Sequence, residues 1–432
     1  MGLRSVVERL ARAGVKRLYG KALAPNDNSK NQVYLGGSLS AVNLLPAREI
    51  VADPENGKRL KGPLDFFWLT DGGLVAAPTA QLILYPDYPE VRLSGFLLRS
   101  QGAPRELMAS RLPGRVLVLG VRDDDSILAL ALGPTDEAAR EFIAKQEDLQ
   151  AHGVLRELPA PDEGEDDGFA SLMTKLSAIH SKDWIRSWSL KPDGTSVSCE
   201  SPQCGGYTLE AELGISRNGR SEPDFLGWEV KSFDVPSINR PSPGGKALTL
   251  MTPEPTGALY QDDFEEFWRR YSYPDRTGRA GREGRQNFGG IYRCGAEPHP
   301  ITGLRLVLDG FNEAKGTFVA TGQLALIDRQ DRVASAWSFP SLLEKWSRKH
   351  ARAVYVPVER SDGPRRYRYG SSVALGRGTD FNHLLTATAR GAVYLDPAIK
   401  LEGAKYKKRS QFRVAYRSLE SLYRHYSLAS NT

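Results

Sequence analysis

The chain has 432 residues, 40% of them hydrophobic, which is enough for real cores and excludes a disordered protein. Its 58 Lys and Arg exceed its 52 Asp and Glu by six, a mildly basic balance with a pI near 9.0 whose local distribution matters more than its total. No stretch approaches the ~20 apolar residues of a membrane span. The three cysteines, Cys199, Cys204 and Cys294, form no disulfide framework, so the chain reads as soluble, cytoplasmic and kept in a reducing compartment.

At this length two or three domains are expected. The N-terminus, MGLRSVVERLARAGVKRLYG, follows an amphipathic helix pattern without an apolar signal core. Short β-like runs come next, separated by turn residues: QVYLGGSL, FFWLTDGGLVAAP, AQLILYP, EVRLSGFLL, RVLVLGV and SILALALG. One late helix pattern, TDEAAREFIAKQEDLQ, closes the series. Residues 1–157 thus read as a separate, mainly-β domain, a barrel or sandwich. LPAPDEGEDDGFASL, Leu158 to Leu172, has a linker's prolines, glycines and acids, and the linker is placed at residues 158–168. Helices and strands mix beyond it. TLEAELG, DDFEEFWRRY, SFPSLLEKWSRKH, DFNHLLTATAR and a closing SLESLYRHY read as helices, and FLGWEVKSF, GLRLVLDGF, ARAVYVPVE and AVYLDPAIKL as strands. That order predicts a mixed α/β (α+β) domain over residues 169–432. Cys199 and Cys204 raise the question of zinc, but zinc wants four ligands at short spacings and the six histidines are scattered elsewhere.

SEPDFLGWEVKSF, Ser221 to Phe233, sets Asp224, Glu229 and Lys231 in an apolar, aromatic segment. Residues i and i+2 of a strand share a face, so Glu229 and Lys231 point one way, Trp228 and Val230 the other. Pro223 makes Asp224 a strand-entry residue, and Gly227 allows the backbone to bend it toward Glu229. One reading is a surface salt bridge worth at most about 1 kcal/mol. Crowding by Phe225, Leu226, Trp228 and Val230 favours another. Carboxylates in such surroundings repel unless a cation neutralises them, and hard oxygen ligands with water left over suit Mg²⁺. In-line phosphodiester hydrolysis would use that set: a divalent ion on Asp224 and Glu229 polarises the phosphate, while Lys231 orients water and stabilises developing charge.

Pro-Asp followed by Glu-x-Lys is the core pattern of the PD-(D/E)XK nucleases. The wider segment GGYTLEAELGISRNGRSEPDFLGWEVKSF, Gly205 to Phe233, resembles the active-site region of the MvaI/BcnI restriction endonucleases, relatives of the nicking repair enzyme MutH. TLMTPEP, Thr249 to Pro255, and the ending, FRV followed by LESLYRHY, resemble the same family, so the likeness runs from Phe169 to Tyr426. It implies a further acid from an L-E-x-x-L-G helix motif, here LEAELG, and nominates Glu210. Periodicity by itself cannot choose between Glu210 and Glu212, since both flank the Leu209/Leu213 stripe. The resemblance also implies catalytic and recognition lobes clasping the duplex and, for a restriction enzyme, a cognate DNA methyltransferase in the host.

Three basic runs follow the site strand. WRRYSYPDRTGRAGREGRQNFGGIYR offers Arg276, Arg279, Arg282 and Arg285; PRRYRYGSSVALGRG interleaves Arg365, Arg366 and Arg368 with Tyr367 and Tyr369; KYKKRSQFR lies near the C-terminus. A charge run is ordinarily a solvated face, but several beside a nuclease motif suit phosphate contact and reading of guanine. In the first domain, KRLYGKALAPNDNSKNQVYLGG and YPEVRLSGFL resemble the pseudobarrel DNA-binding domain of EcoRII-type enzymes, which implies a grip by Asn26, Asn28, Lys30, Asn31 and Gln32. A structural or dimerising β domain is the alternative. The expectation is therefore a type II site-specific deoxyribonuclease on double-stranded DNA, using Mg²⁺ with Mn²⁺ as substitute. A MutH-like strand-nicking repair enzyme and a catalytically silent DNA-binding regulator are the rivals.

Overall fold

Runs of Val, Leu and Ile punctuated by turn residues build the first of two units, Met1–Ala170, of this computed structural model. The structure describes residues 1–25, 27, 32–159, 168–216, 224–239, 247–275, 284–361, 363, 365–402 and 405–430. Val116–Arg122 pairs antiparallel with Ile127–Leu132, Ile127 opposite Val121 and Leu132 opposite Val116, through a turn where Asp125 takes φ 64°. Both strands are buried on two faces, which is why they read as continuous apolar runs rather than alternating ones. They lie inside a seven-stranded sheet ordered Ala151–His152, Leu155–Leu158, Val15–Ala22, Val116–Arg122, Ile127–Leu132, Phe66–Thr70, Gly73–Ala76. A second sheet runs Gln32–Gly36, Glu90–Ser94, Gln81–Tyr85, Asn56–Pro63, Val51–Asp53. Its Val33, Leu35, Leu60, Leu82, Leu84, Val91 and Leu93 are all buried.

Helices Leu3–Arg12 and Glu137–Lys145 lay Val6, Leu10, Ala139 and Phe142 against Leu18, Val116, Val118 and Leu128 of the larger sheet. Gly20 allows this approach, because a Cβ there would stand 2.2 Å from the Phe142 ring. Burying that ring contributes about 2 kcal/mol, so any side chain at position 20 would displace the helix.

The second unit, Ser171–Thr432, is mixed α/β. Its central strand, Arg352–Arg360, is buried over Ala353 to Val358 and holds partners on both sides. Glu229–Asp234 pairs with it in parallel, Lys231 opposite Tyr355, while Arg366–Tyr369 and Ser372–Arg377 pair antiparallel. A second sheet carries Ala247–Met251, Ser410–Ala415, Val393–Glu402, Gln286–Gly289 and Tyr273–Pro274. A third joins Arg305–Asn312, Thr317–Ile327 and Val333–Ser338. Helices form where periodicity places them, at Phe264–Tyr271, Phe339–Lys349 and Phe381–Ala389, capped by the side chains of Asp263, Ser338 and Asp380.

Two expectations need correcting. SLESLYRHY is not a closing helix: Tyr416–Leu422 is 3₁₀, burying Leu419 and Leu422 at the three-residue period, and His425–Ser430 is a strand. The open edge of Ser372–Arg377 gives that segment a full ladder, Val373 opposite Ala429 and Leu375 opposite Ser427, which outweighs local helix propensity. Counting cysteines pointed to reduced thiols, yet Cys199 and Cys204 are joined in a disulfide and only Cys294 is free. A five-residue separation brings them together where Cys204 opens a helix. Among the described residues no helix is long and apolar enough to cross a membrane.

Candidate active site

Phe225 and Trp228 exchange backbone hydrogen bonds of 2.9 and 2.8 Å across a two-residue turn. Leu226 at φ 43° and Gly227 at φ 81° supply the two positive angles such a turn requires. The chain therefore doubles back, and Asp224 Oδ2 accepts a hydrogen bond of 3.1 Å from the Val230 N–H. Asp224 is thereby set beside Glu229, which opens a strand between the buried Trp228 and Val230. Lys231 Nζ donates to Glu229 Oε1 at 2.9 Å, with side-chain exposures of only 18% and 3%. Burial works against the Lys231 ammonium, but the charge and hydrogen bond of Glu229 outweigh it and hold the lysine above its usual pKa. A surface salt bridge would be far more exposed than this pair. Pro223 lies outside the described residues.

The helix Cys204–Glu212 carries both acids that periodicity could not separate. Glu212 turns away from the site: it accepts 2.8 Å from Trp188 Nε1 and 2.6 Å from Lys182 Nζ. Glu210 instead lines a cleft of about 1150 Å³ together with Asp224, Glu229 and Lys231. Across the cleft stand Thr249 and Arg413, opposite one another on Ala247–Met251 and Ser410–Ala415. Arg413 is held by Asp396 at 2.6 Å and by the Ala247 carbonyl at 3.0 Å. The sequence had it at the end of a basic run, with nothing to single it out.

The nominated DNA contacts are scattered. Arg276, Arg279, Arg282, Asn26, Asn28, Lys30 and Asn31 lie outside the described residues. Arg285 closes a hairpin stem, bonded to Asn287 at 2.8 Å and paired with Asp275 at 3.3 Å. Tyr367 is a correction: it is 3% exposed and packs beside Gly205, because strand alternation turns it inward while Arg366 faces solvent. Arg368 is also committed within the fold, to Glu359 at 3.0 Å and Asp183 at 3.6 Å, over the Trp184 ring. Arg365 donates to the Ser201 carbonyl at 3.1 Å. In the first unit, Gln32 Oε1 accepts from Arg92 at 3.0 Å. Among the described residues, then, the arginine that lines the cleft is Arg413 and none of those nominated.

Asp224 and Glu229 offer hard oxygens in an acidic cleft with one nearby ammonium, a donor set that fits a divalent cation. No group of three or more His, Cys, Asp or Glu converges among the described residues, so a cation here would take its remaining ligands from water or phosphate.

A model of the MvaI/BcnI restriction endonuclease family matches residues 173–423. Among solved structures, the restriction endonuclease MvaI–cognate DNA substrate complex is similar at 16% identity, over 61% of this chain and 98% of that one, with a TM-score of 0.46. Restriction endonuclease MvaI in the absence of DNA is also 16% identical, over 62% and 99% of the two chains, with a TM-score of 0.34. No curated protein matches the chain.

Proposed function

The chain belongs to the MvaI/BcnI restriction endonuclease family, and from that premise we propose that it cleaves both strands of duplex DNA at a short specific sequence with Mg²⁺. The observation that carries this reading is the gathering of Asp224, Glu229, Lys231 and Glu210 on one cleft. Asp224 and Glu229 would hold the ion, which when bound offsets charge on the scissile phosphate and the leaving oxygen. Lys231, kept protonated by Glu229, donates rather than accepts: it orients the attacking water and stabilises negative charge as it develops. Glu210 faces the same space from its helix and orders water there. Arg413 stands where a phosphate or base edge would pass. Mn²⁺ would substitute for Mg²⁺, and a cognate methyltransferase would protect host DNA.

Incubation of the purified protein with plasmid, followed by end mapping, tests this. Discrete double-strand ends are expected with Mg²⁺ or Mn²⁺, and binding without cleavage with Ca²⁺, whose looser geometry positions water poorly. Cleavage in excess chelator would overturn the metal assignment. Nicked circles would favour a strand-nicking enzyme, and binding without cleavage under every metal a silent regulator.

A further inference from the structure

Behind the site strand, two tyrosines meet in the interior of the second unit. Tyr355 lies on the central strand directly opposite Lys231 in the parallel ladder, so the two side chains stand beside one another on one face. Its hydroxyl is 2.7 Å from that of Tyr423, and the residues are 0% and 5% exposed. Tyr423 is itself immobilised, because its ring lies over Gly376 where a Cβ would come within 2.5 Å. Lys231 has a long stem that loses about 2 kcal/mol of rotamer entropy when held in one pose, and something must hold its ammonium on Glu229.

We propose that Tyr355, locked by its hydroxyl contact with Tyr423, is a positioning residue that fixes Lys231 against Glu229. Gly376 seats Tyr423, Tyr423 pins the Tyr355 ring, and that ring walls the inner side of the lysine stem. The ammonium then has one direction to extend, onto Glu229 at the cleft. This inference rests on the catalytic reading of Lys231 proposed above.

The test uses full-length Tyr355→Phe, Tyr423→Phe and the double variant. Each single change leaves one buried hydroxyl without its partner and lowers the melting temperature; the double change removes both hydroxyls and recovers part of that loss. Positioning predicts that kcat falls about 10- to 100-fold in all three, as a ~1 Å misplacement does. KM and DNA affinity should stay within about twofold. The double variant should be no slower than either single. A double variant that regains wild-type kcat would show a purely structural pair and overturn the proposal, as would wild-type kcat in either single. Crystal structures of wild type and Tyr355→Phe supply a readout independent of turnover. The Lys231–Glu229 contact should be lost or split in the variant, and an unmoved ammonium would overturn the proposal even if the catalytic reading had failed. Absence of cleavage by the wild type would count against that reading alone.

Discussion

Both units bury charges, and one buried carboxylate of the second is put to a different use. In Met1–Ala170, Lys21 and Asp27 pair with each other at 4% and 8% exposure, and Asp53 is held by Arg59 and Lys61. Arg115, wholly buried, donates to the carbonyls of Ala24, Leu107, Met108 and Leu112. Each of these charges is consumed by the fold around it. In Ser171–Thr432 Glu229 is as buried, at 3% side-chain exposure, but its partner Lys231, at 18%, opens on a cleft that also receives Asp224 and Glu210. Burial of charge therefore does not mark a site; burial beside an open acidic cleft does. Net charge divides the same way. Of the 58 Lys and Arg, 20 fall in the first unit, and of the 52 Asp and Glu, 24 do, so the basic excess belongs wholly to the second. A polyanion is attracted to the second unit.

The contrast is broken most directly at the cleft. Asp224→Asn and Lys231→Ala should each lower plasmid cleavage by about a thousandfold or more, while gel-shift affinity in Ca²⁺ stays near wild type. Near-wild-type cutting by either would place the chemistry elsewhere. Glu210→Gln and Glu212→Gln sharpen it one step down. The first should slow cleavage about 10- to 100-fold with little change in melting temperature. The second should leave kcat nearly unchanged but cost about 1–2 kcal/mol of stability, as the amide keeps one acceptor oxygen for two donors, Trp188 and Lys182, and the charge facing Lys182 is lost.

Removal of the first unit is a smaller perturbation. A fragment of residues 169–432 should cut at the same sequence as the full chain, its rate changed by less than about tenfold. Its affinity should fall steeply with salt, and that of residues 1–157 only weakly. A different cut site would show that recognition resides in the first unit.

The smallest effect on activity is expected at Asp53. Burial pushes its pKa up, but hydrogen bonds from Arg59 and Lys61 outweigh this and hold it below the usual carboxylate value. The stability it contributes is thus complete above an unfolded pKa of about 4 and is lost as pH falls through the lower folded value. Asp53→Asn should destabilise the first unit by about 2 kcal/mol at neutral pH, flatten its acid limb in melting experiments, and leave cleavage by the second unit untouched.

Much of the second unit was legible locally. The helices Phe264–Tyr271, Phe339–Lys349 and Phe381–Ala389 repeat apolar residues at helical spacing and begin at Asp263, Ser338 and Asp380, side chains that cap an N-terminus from within their own segment. The i, i+2 spacing of Glu229 and Lys231 specified that they share a face, and Gly227 marked the bend that brings Asp224 back. Those features depend on chain geometry over a few residues, which sequence carries whole. Tertiary structure decided the rest. Glu210 was separated from Glu212 only by where Trp188 and Lys182 came to lie. Tyr367 was drawn inward where its strand lies between Arg352–Arg360, its neighbour in the chain, and Ile185–Arg186, about 180 residues earlier. Arg413 lines the cleft, and Tyr355 lies opposite Lys231 with its hydroxyl against that of Tyr423, all from segments more than a hundred residues away from Asp224 and Glu229. The closing segment became a strand because the edge at Ser372–Arg377 had hydrogen bonds to offer. Non-local partners, not local propensity, set those outcomes, since a ladder or a buried ion pair is worth more than the fraction of a kcal/mol by which one residue prefers a helix.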